Sequence, residues 1–294
     1  ISELRSLRRA ADSIIENSLA PGTRRCYNNA VTKYKDFCRK YHAEDKYYFS
    51  AYYVEAYVTY LSQNGLGLSS IQSTLSALRF HCRSNDIHIT FDTARLALLL
   101  KGIKRTQIPK LRATNAVKLS HLTRLMSAAS TIFDYKTGVL VRAMFSMAFF
   151  GLLRPSEMAL STVSPNHRLL RSDVLLKQKS ICIRFRSYKH STKPVVVNIP
   201  RQDRLDICPW VQLNNYLCGL AHQGSDPLFG CTIAQANNWL QACISKSGIR
   251  TTLGLHSFRR GGATWYSSNG LPDSSLKALG RWSSNAYLVY VKPN

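Results

Sequence analysis

Four short stretches gather residue types whose combination does chemistry. In "GLLRPSEM", Arg154 ends a strongly apolar run and Glu157 follows three positions later, so a buried guanidinium would find a carboxylate on its own face. "IRFRSYKHSTKPVVVNIP" reads as two strands joined by a tip that carries Lys189 and Lys193. In "LHSFRRGGATWYSSNG", His256 and Arg259 share a helix face, and Arg260 and two glycines come next. "LGRWSSNAYLVYVKPN" adds Arg281, Trp282, Tyr287 and Tyr290. Two arginines can clamp the non-bridging oxygens of a phosphate in a bidentate geometry that lysine does not match. A lysine can protonate a leaving oxygen, and a histidine can assist proton transfer. A tyrosine hydroxyl attacks once nearby cations lower its pKa. The set implies phosphoryl transfer on a nucleic-acid backbone through a phosphotyrosine, with the arginines supplying the charge stabilisation. Each stretch alone also has a plain structural reading: an Arg–Glu pair, a solvated tip lysine, a basic helix end, a core tryptophan.

Composition supplies the attraction such a site needs. Forty Lys and Arg against sixteen Asp and Glu give a formal charge of +24, which suits a polyanionic partner. The excess is +8 over residues 1–110 and +16 over 111–294, so it is no basic tail, and both halves are expected to face the same polyanion. Nucleic acid is the expected partner; an anionic membrane is the rival. The most apolar window, "AMFSMAFFGLL", is 11 residues long and fits a buried helix better than a membrane span. The eight cysteines form no CxxC pair and no zinc spacing with histidine, so no metal is expected, and they read as small buried hydrophobes in a reducing compartment. The sequence opens on Ile1 with no signal-peptide pattern, which reads as an excised fragment.

The elements that must position the site follow from periodicity. Residues 1–108 read as helix after helix: "LAPGTRRCYNNAVTKYKDFCRKY" after a Pro-Gly start, "SAYYVEAYVTYLSQNGLG" with a serine cap and a glycine stop, "LSSIQSTLSALRFHCRSND", then "FDTARLALLLKGIKR". The polar, basic stretch 101–118 lacks an apolar period and marks a boundary, with 109–118 as linker and 119–294 as the second domain. There the pattern predicts helices at 119–130 and 135–151, strands in "DVLLKQ", "SICIRFR" and "PVVVNIP", and helices near 206–220, 233–247, 256–268 and 272–280. "GLGLSS" near residue 65 lacks the strand a nucleotide-binding fingerprint needs and reads as a helix stop. The expected fold is mainly α with a small antiparallel β-sheet, in two domains that clamp the duplex. The helix over 69–84 has a core face of Ile71, Leu75 and Leu78. Its polar face of Ser69, Ser70, Gln72, Ser73, Ser76, Arg79 and Arg83 suits base edges or phosphates. Arg24, Arg25, Lys101, Lys104 and Arg105 complete the candidate DNA contacts.

In the order Arg…Lys…His-x-x-Arg…(His/Trp)…Tyr, the chain resembles the tyrosine recombinase (phage integrase) family, in the style of eukaryotic mobile-element enzymes such as those of DIRS- and Ngaro-type retrotransposons and Cryptons. The resemblance covers nearly the whole chain, including "LAPGTRRCY" and "LSSIQSTLSALRFHC" in a helical core-binding domain ahead of an α+β catalytic domain. It implies cleavage of double-stranded DNA to a 3′-phosphotyrosine and a free 5′-hydroxyl, then rejoining, with no metal or small-molecule cofactor. It also implies a dimer on each site, a tetramer in synapsis, and a nuclear location for a eukaryotic element. By position, Arg154 is similar to the family's first arginine, Glu157 to its orienting acid, Lys189 or Lys193 to the hairpin lysine, and His256 and Arg259 to the His-x-x-Arg pair. Arg260 is left as a packing or backbone-facing neighbour. Tyr290 matches the nucleophile, with Tyr287 its competitor. One position departs: the family's His/Trp usually follows the glycine directly, nine residues before the nucleophile, and here Arg281 stands there with Trp282 beside it. Trp282 is favoured for that role, since an indole N–H donates to a phosphate oxygen while the ring packs. The rival reading from another class is a domesticated DNA-binding protein that has lost the chemistry; a DNA-relaxing topoisomerase is a weaker third.

Overall fold

A computed structural model of the chain describes residues 2–45, 48–107, 115–161, 167–188, 193–219 and 224–290. It is mainly helical with one small antiparallel sheet, and it divides into two compact units, Ile1–Arg112 and Ala113–Asn294. Of the expected linker, residues 109–114 lie outside the described residues; Asn115 and Val117 donate backbone hydrogen bonds to Thr252 and Ser257 of the second unit, at 3.2 and 3.0 Å.

The first unit holds helices α1 (Ser2–Asn17), α2 (Pro21–Lys40), α3 (Ala51–Gln63), α4 (Leu68–Ser84) and α5 (Ala94–Thr106). Proline at the first position starts α2 without losing a needed donor, and its buried residues Val31, Tyr34, Phe37 and Cys38 recur at helical spacing. They pack on Ile71, Leu75, Leu78 and Cys82 of α4, with Val54, Tyr57 and Val58 of α3 closing the core. Thr93 caps α5 by accepting the Leu96 N–H at 3.0 Å. Gly65, in the left-handed region, ends α3 as the sequence suggested. The helix α1 keeps Leu4, Leu7 and Ile14 exposed.

The second unit is built round α7 (Tyr135–Phe150), whose residues 143–150 are all buried: the apolar window is the central helix. Asp134 caps it, accepting the Thr137 N–H at 3.0 Å. Against α7 pack α6 (Leu119–Ile132), α9 (Pro209–Cys218) and α11 (Leu255–Ser268), while α10 (Ile233–Ser247) lies on α6. The short α8 (Pro155–Met158) follows α7, and α12 (Asp273–Gly280) leads to a 3₁₀ turn at Asn285–Val289. Strands β1 (Val174–Leu176), β2 (Ser180–Phe185) and β3 (Val195–Pro200) pair antiparallel in that order. Ile181, Ile183 and Phe185 alternate inward, as a half-buried strand requires, and Phe185 sits opposite Val195 at the base of the hairpin. The helix expected at 206–220 starts later, because Pro209 is suited only to its first turn. Neither α8 nor the 3₁₀ turns were legible in the sequence, being too short to show a period. The cysteines are all free, but Cys26 and Cys218 are exposed and Cys182 is only half-buried, so the reading of all eight as buried hydrophobes is corrected at these three. Among the described residues no helix is long and apolar enough to cross a membrane.

Candidate active site

Backbone contact fixes the first arginine. A Cβ on Gly261 would lie 1.9 Å from the Val117 carbonyl oxygen, and one on Gly262 would lie 2.0 Å from that of Phe149. The paired glycines therefore let α11 lie directly on α7 and on the incoming chain at Val117. That close approach carries Arg259, in the preceding turn, over the C-terminal end of α7. Arg259 is 4% exposed, and its guanidinium donates to the carbonyls of Leu152 and Gly280. Burial, with Arg154 and Arg281 close by, pulls it down to about 9, which leaves it charged at neutral pH.

Arg154 is the N-cap of α8, and Glu157 is its third residue. The carboxylate reaches back as a capping-box glutamate does, accepting the Arg154 N–H on Oε2 at 2.7 Å. Its Oε1 accepts Arg154 Nη1 at 3.0 Å, and Oε2 also accepts Arg281 Nη2 at 2.7 Å. Burial alone would raise the Glu157 carboxyl; Arg281 and Arg154 override it and hold the group below its usual range. Arg281 donates further to the carbonyls of Leu279 (2.8 Å) and Leu152 (3.1 Å), and its guanidinium lies 3.7 Å from the ring centre of Phe185 at the hairpin base. Leu152 accepts from both Arg259 and Arg281, and it has a φ of 47°. A leucine in the left-handed region is strained, at a cost of roughly 1–2 kcal/mol. The bend aims one carbonyl at two guanidinium groups. Arg154 Nη2 donates to the Arg281 carbonyl at 3.3 Å, so segments 151–152 and 279–281 together form a cage of carbonyls around three arginines.

The turn after α12 separates Arg281 from Trp282. Arg281 N–H donates to Ala278 and Trp282 N–H to Lys277, at 3.1 and 3.0 Å, with Arg281 at a φ of 54°. This is a Schellman turn with arginine at the position usually taken by glycine. The turn sends consecutive side chains different ways. Arg281 goes inward with its side chain 1% exposed, while Trp282 crosses back over Gly280, where a Cβ would lie 1.7 Å from the indole. The indole then covers the Arg259 guanidinium, 4.2 Å from its ring centre, and lies 5.8 Å from the ring of Tyr290. Of the two residues open for the His/Trp position, the one beside the second arginine and Tyr290 is Trp282. Tyr290 is half-buried, with Arg260 5.6 Å over its ring and its carbonyl accepting from Thr264 at 2.8 Å. Arg260 is thus a packing neighbour of the tyrosine. Tyr287 is buried instead, and its hydroxyl donates to Asp273 at 2.8 Å. That hydrogen bond raises its pKa, the opposite of what a nucleophile needs.

The other candidates are exposed, paired or outside the described residues. Lys189 lies outside the described residues, and Lys193 is exposed beyond the hairpin base. His256 shares the first turn of α11 with the buried arginine but is itself exposed. In the first unit, Ser70, Gln72, Ser73 and Arg83 are exposed on α4, as are Arg25, Lys101, Lys104 and Arg105 on their helices. Arg79 pairs with Asp92 at 2.7 Å, and Arg24 donates to Asn17 at 2.7 Å. The carbonyl cage was invisible in the sequence, since backbone groups carry no residue signature. A mid-sequence Leu152 gave no hint of its conformation.

No family model matches the chain, and no curated protein matches it. Solved structures do match in fold. XerH site-specific recombinase bound to palindromic difH substrate in a post-cleavage complex aligns with a TM-score of 0.64 at 18% identity, over 91% of this chain and 75% of that one. A lambda integrase dimer bound to a COC′ core site aligns with a TM-score of 0.63 at 14% identity, over 97% and 94%. The Tn1549 transposon integrase in complex with circular intermediate DNA aligns at 0.55 and 13%, over 83% and 81%. The fold of this chain is that of the tyrosine recombinases.

Proposed function

We propose that this chain is a site-specific DNA recombinase that cuts and rejoins DNA through a 3′-phosphotyrosine. The observation that carries the reading is the grouping of Arg154, Arg259, Trp282 and Tyr290 around one carbonyl cage, on a fold whose solved examples include DNA-bound recombinases. In this reading Arg154 and Arg259 hold the non-bridging oxygens of the scissile phosphate. The Tyr290 oxygen attacks phosphorus, the 5′-oxygen leaves, and the arginines stabilise the phosphorane between them. The hairpin lysine, Lys189 or Lys193, protonates the leaving oxygen, and His256 assists proton transfer on the same face. Trp282 shields the second arginine and donates to a phosphate oxygen. The exposed face of α4 reads the target, the chain acts as a dimer on each site and a tetramer in synapsis, and its setting is a mobile element of a nucleus.

A nicked suicide duplex tests this, read as a covalent protein–DNA adduct on a denaturing gel. Wild type and Tyr287→Phe are expected to form the adduct, while Tyr290→Phe forms none and still binds DNA, because only the attacking oxygen is gone. Arg154→Ala and Arg259→Ala are each expected to slow cleavage by about 100-fold or more, the cost of a lost oxyanion donor. An adduct that survives Tyr290→Phe and vanishes with Tyr287→Phe moves the nucleophile. No adduct from wild type on any duplex it binds leaves a DNA-binding protein of the same fold.

A further inference from the structure

Arg281 stands where the family resemblance leads one to expect a phosphate-facing histidine or tryptophan, and its guanidinium is turned to Glu157 instead. Its side chain is 1% exposed, against 13% for Arg154; its Nη1 and Nη2 donate to Glu157 and to the carbonyls of Gly151, Leu279 and Leu152, while its buried Nε has no hydrogen-bond partner. The Schellman turn that buries it is the same turn that delivers Trp282 to Arg259. What remains for this third arginine is Glu157. That carboxylate divides its oxygens: Oε1 takes Arg154 Nη1, and Oε2 takes Arg281 Nη2 together with the Arg154 backbone N–H. With Arg281 removed, both oxygens face one guanidinium, and a carboxylate and an arginine left alone pair as a bidentate fork. That fork would occupy the donors with which Arg154 is to meet the phosphate.

Resting on the recombinase reading above, we propose that Arg281 is a positioning residue for Arg154. By engaging one oxygen of Glu157 it limits the carboxylate's hold on Arg154 and leaves part of that guanidinium for DNA. It also sets the charge of the buried cluster. Three arginines and one glutamate carry two net positive charges, which match a doubly charged phosphorane; without Arg281 the cluster carries one. Ordinarily a neutral or weakly basic side chain fills this place in the resemblance. In this chain the arginine makes the supporting charge permanent.

The test is single-turnover adduct formation on a nicked duplex that wild type cleaves, with rate constant, amplitude and DNA affinity measured separately. Arg281→Met is expected to lower the rate constant at saturating DNA by about 100-fold, the scale of a misplaced oxyanion donor, with amplitude and affinity near wild type. Adding Glu157→Gln to Arg281→Met is expected to recover about tenfold of that loss, because the uncompensated carboxylate that captures Arg154 is gone. Arg281→Lys keeps a cation beside Glu157 and carries the test if the methionine variant does not fold; its rate constant is expected within about tenfold of wild type. A purely structural role lowers amplitude and leaves the rate constant of the folded fraction alone, and that result overturns the proposal. So does an unchanged rate in Arg281→Met, no recovery on adding Glu157→Gln, or a lysine variant as slow as expected for methionine. A wild type that forms no adduct at all sinks the recombinase reading, and this one with it; an active wild type with any of the other failures sinks this one alone.

Discussion

At the scale of single residues, Glu157 is the carboxylate on which two cations depend. It is 1% exposed, and its oxygens are shared between Arg154 and Arg281, so a neutral isostere leaves buried guanidinium groups short of an anion. Breaking a buried pair from one side costs about 3–5 kcal/mol, and Glu157→Gln is expected to lose stability on that scale at neutral pH. The pH dependence has a definite sign. The folded carboxyl is held below its ordinary range, so its contribution is fully present above the unfolded value of about 4.3 and disappears as pH falls through the lower folded value. Urea unfolding of wild type and Glu157→Gln from pH 7 downward is expected to show a gap that is constant to about pH 5 and closes below about pH 4. A gap that widens on acidification would contradict an ionised Glu157 held between two arginines.

At the scale of elements, the site depends on how closely helices approach. Gly262→Ala places a methyl 2.0 Å from the Phe149 carbonyl oxygen, so α11 must lift from α7. Overpacking of this kind costs about 1–3 kcal/mol, and the lift also moves Arg259 off the Leu152 carbonyl. The variant is expected to melt earlier and to cleave far more slowly than its loss of fold explains. Gly102→Ala is the matching control: it sits inside α5 with nothing within 4 Å of the added carbon, and it should gain about 0.5–1 kcal/mol by helix propensity. Thermal unfolding of the two variants checks both signs. These elements were largely legible beforehand, because periods of 3.6 and 2 survive in the residues that face a core. The burial of Val31, Tyr34 and Phe37, or of Ile181, Ile183 and Phe185, follows directly from their spacing. Arg154, Arg259 and Tyr290 were legible from residue type and order. The left-handed bend at Leu152 was not, nor was the inward turn of Arg281, since both are set by tertiary contacts that overrule local preference. The pairing of Arg79 with Asp92 was missed for a related reason: the partners are thirteen residues apart, one on α4 and the other in the segment leading to α5.

At the scale of the whole molecule, the positive excess is shared by both halves of the chain, and it predicts how binding responds to salt. Each phosphate contact contributes about −0.9 to the slope of log affinity against log salt, so a chain making several contacts should lose orders of magnitude between about 50 and 200 mM. A fluorescence titration of the full chain on duplex DNA measures that slope; a value near zero, or equal affinity for anionic vesicles, defeats the DNA reading. The coupling of Glu157 to Arg281 reaches beyond any single experiment and into the history of the sequence. Either residue lost alone strands a buried charge, at about 3–5 kcal/mol, whereas exchanging both for apolar side chains removes that penalty for this pair and leaves Arg154 alone short of its carboxylate. The two positions, 124 residues apart, are therefore expected to be inherited as one unit. A lineage that no longer needed the chemistry would have to cross a stability valley to shed them, so the pair should outlast Tyr290 in any relative that has kept only the fold.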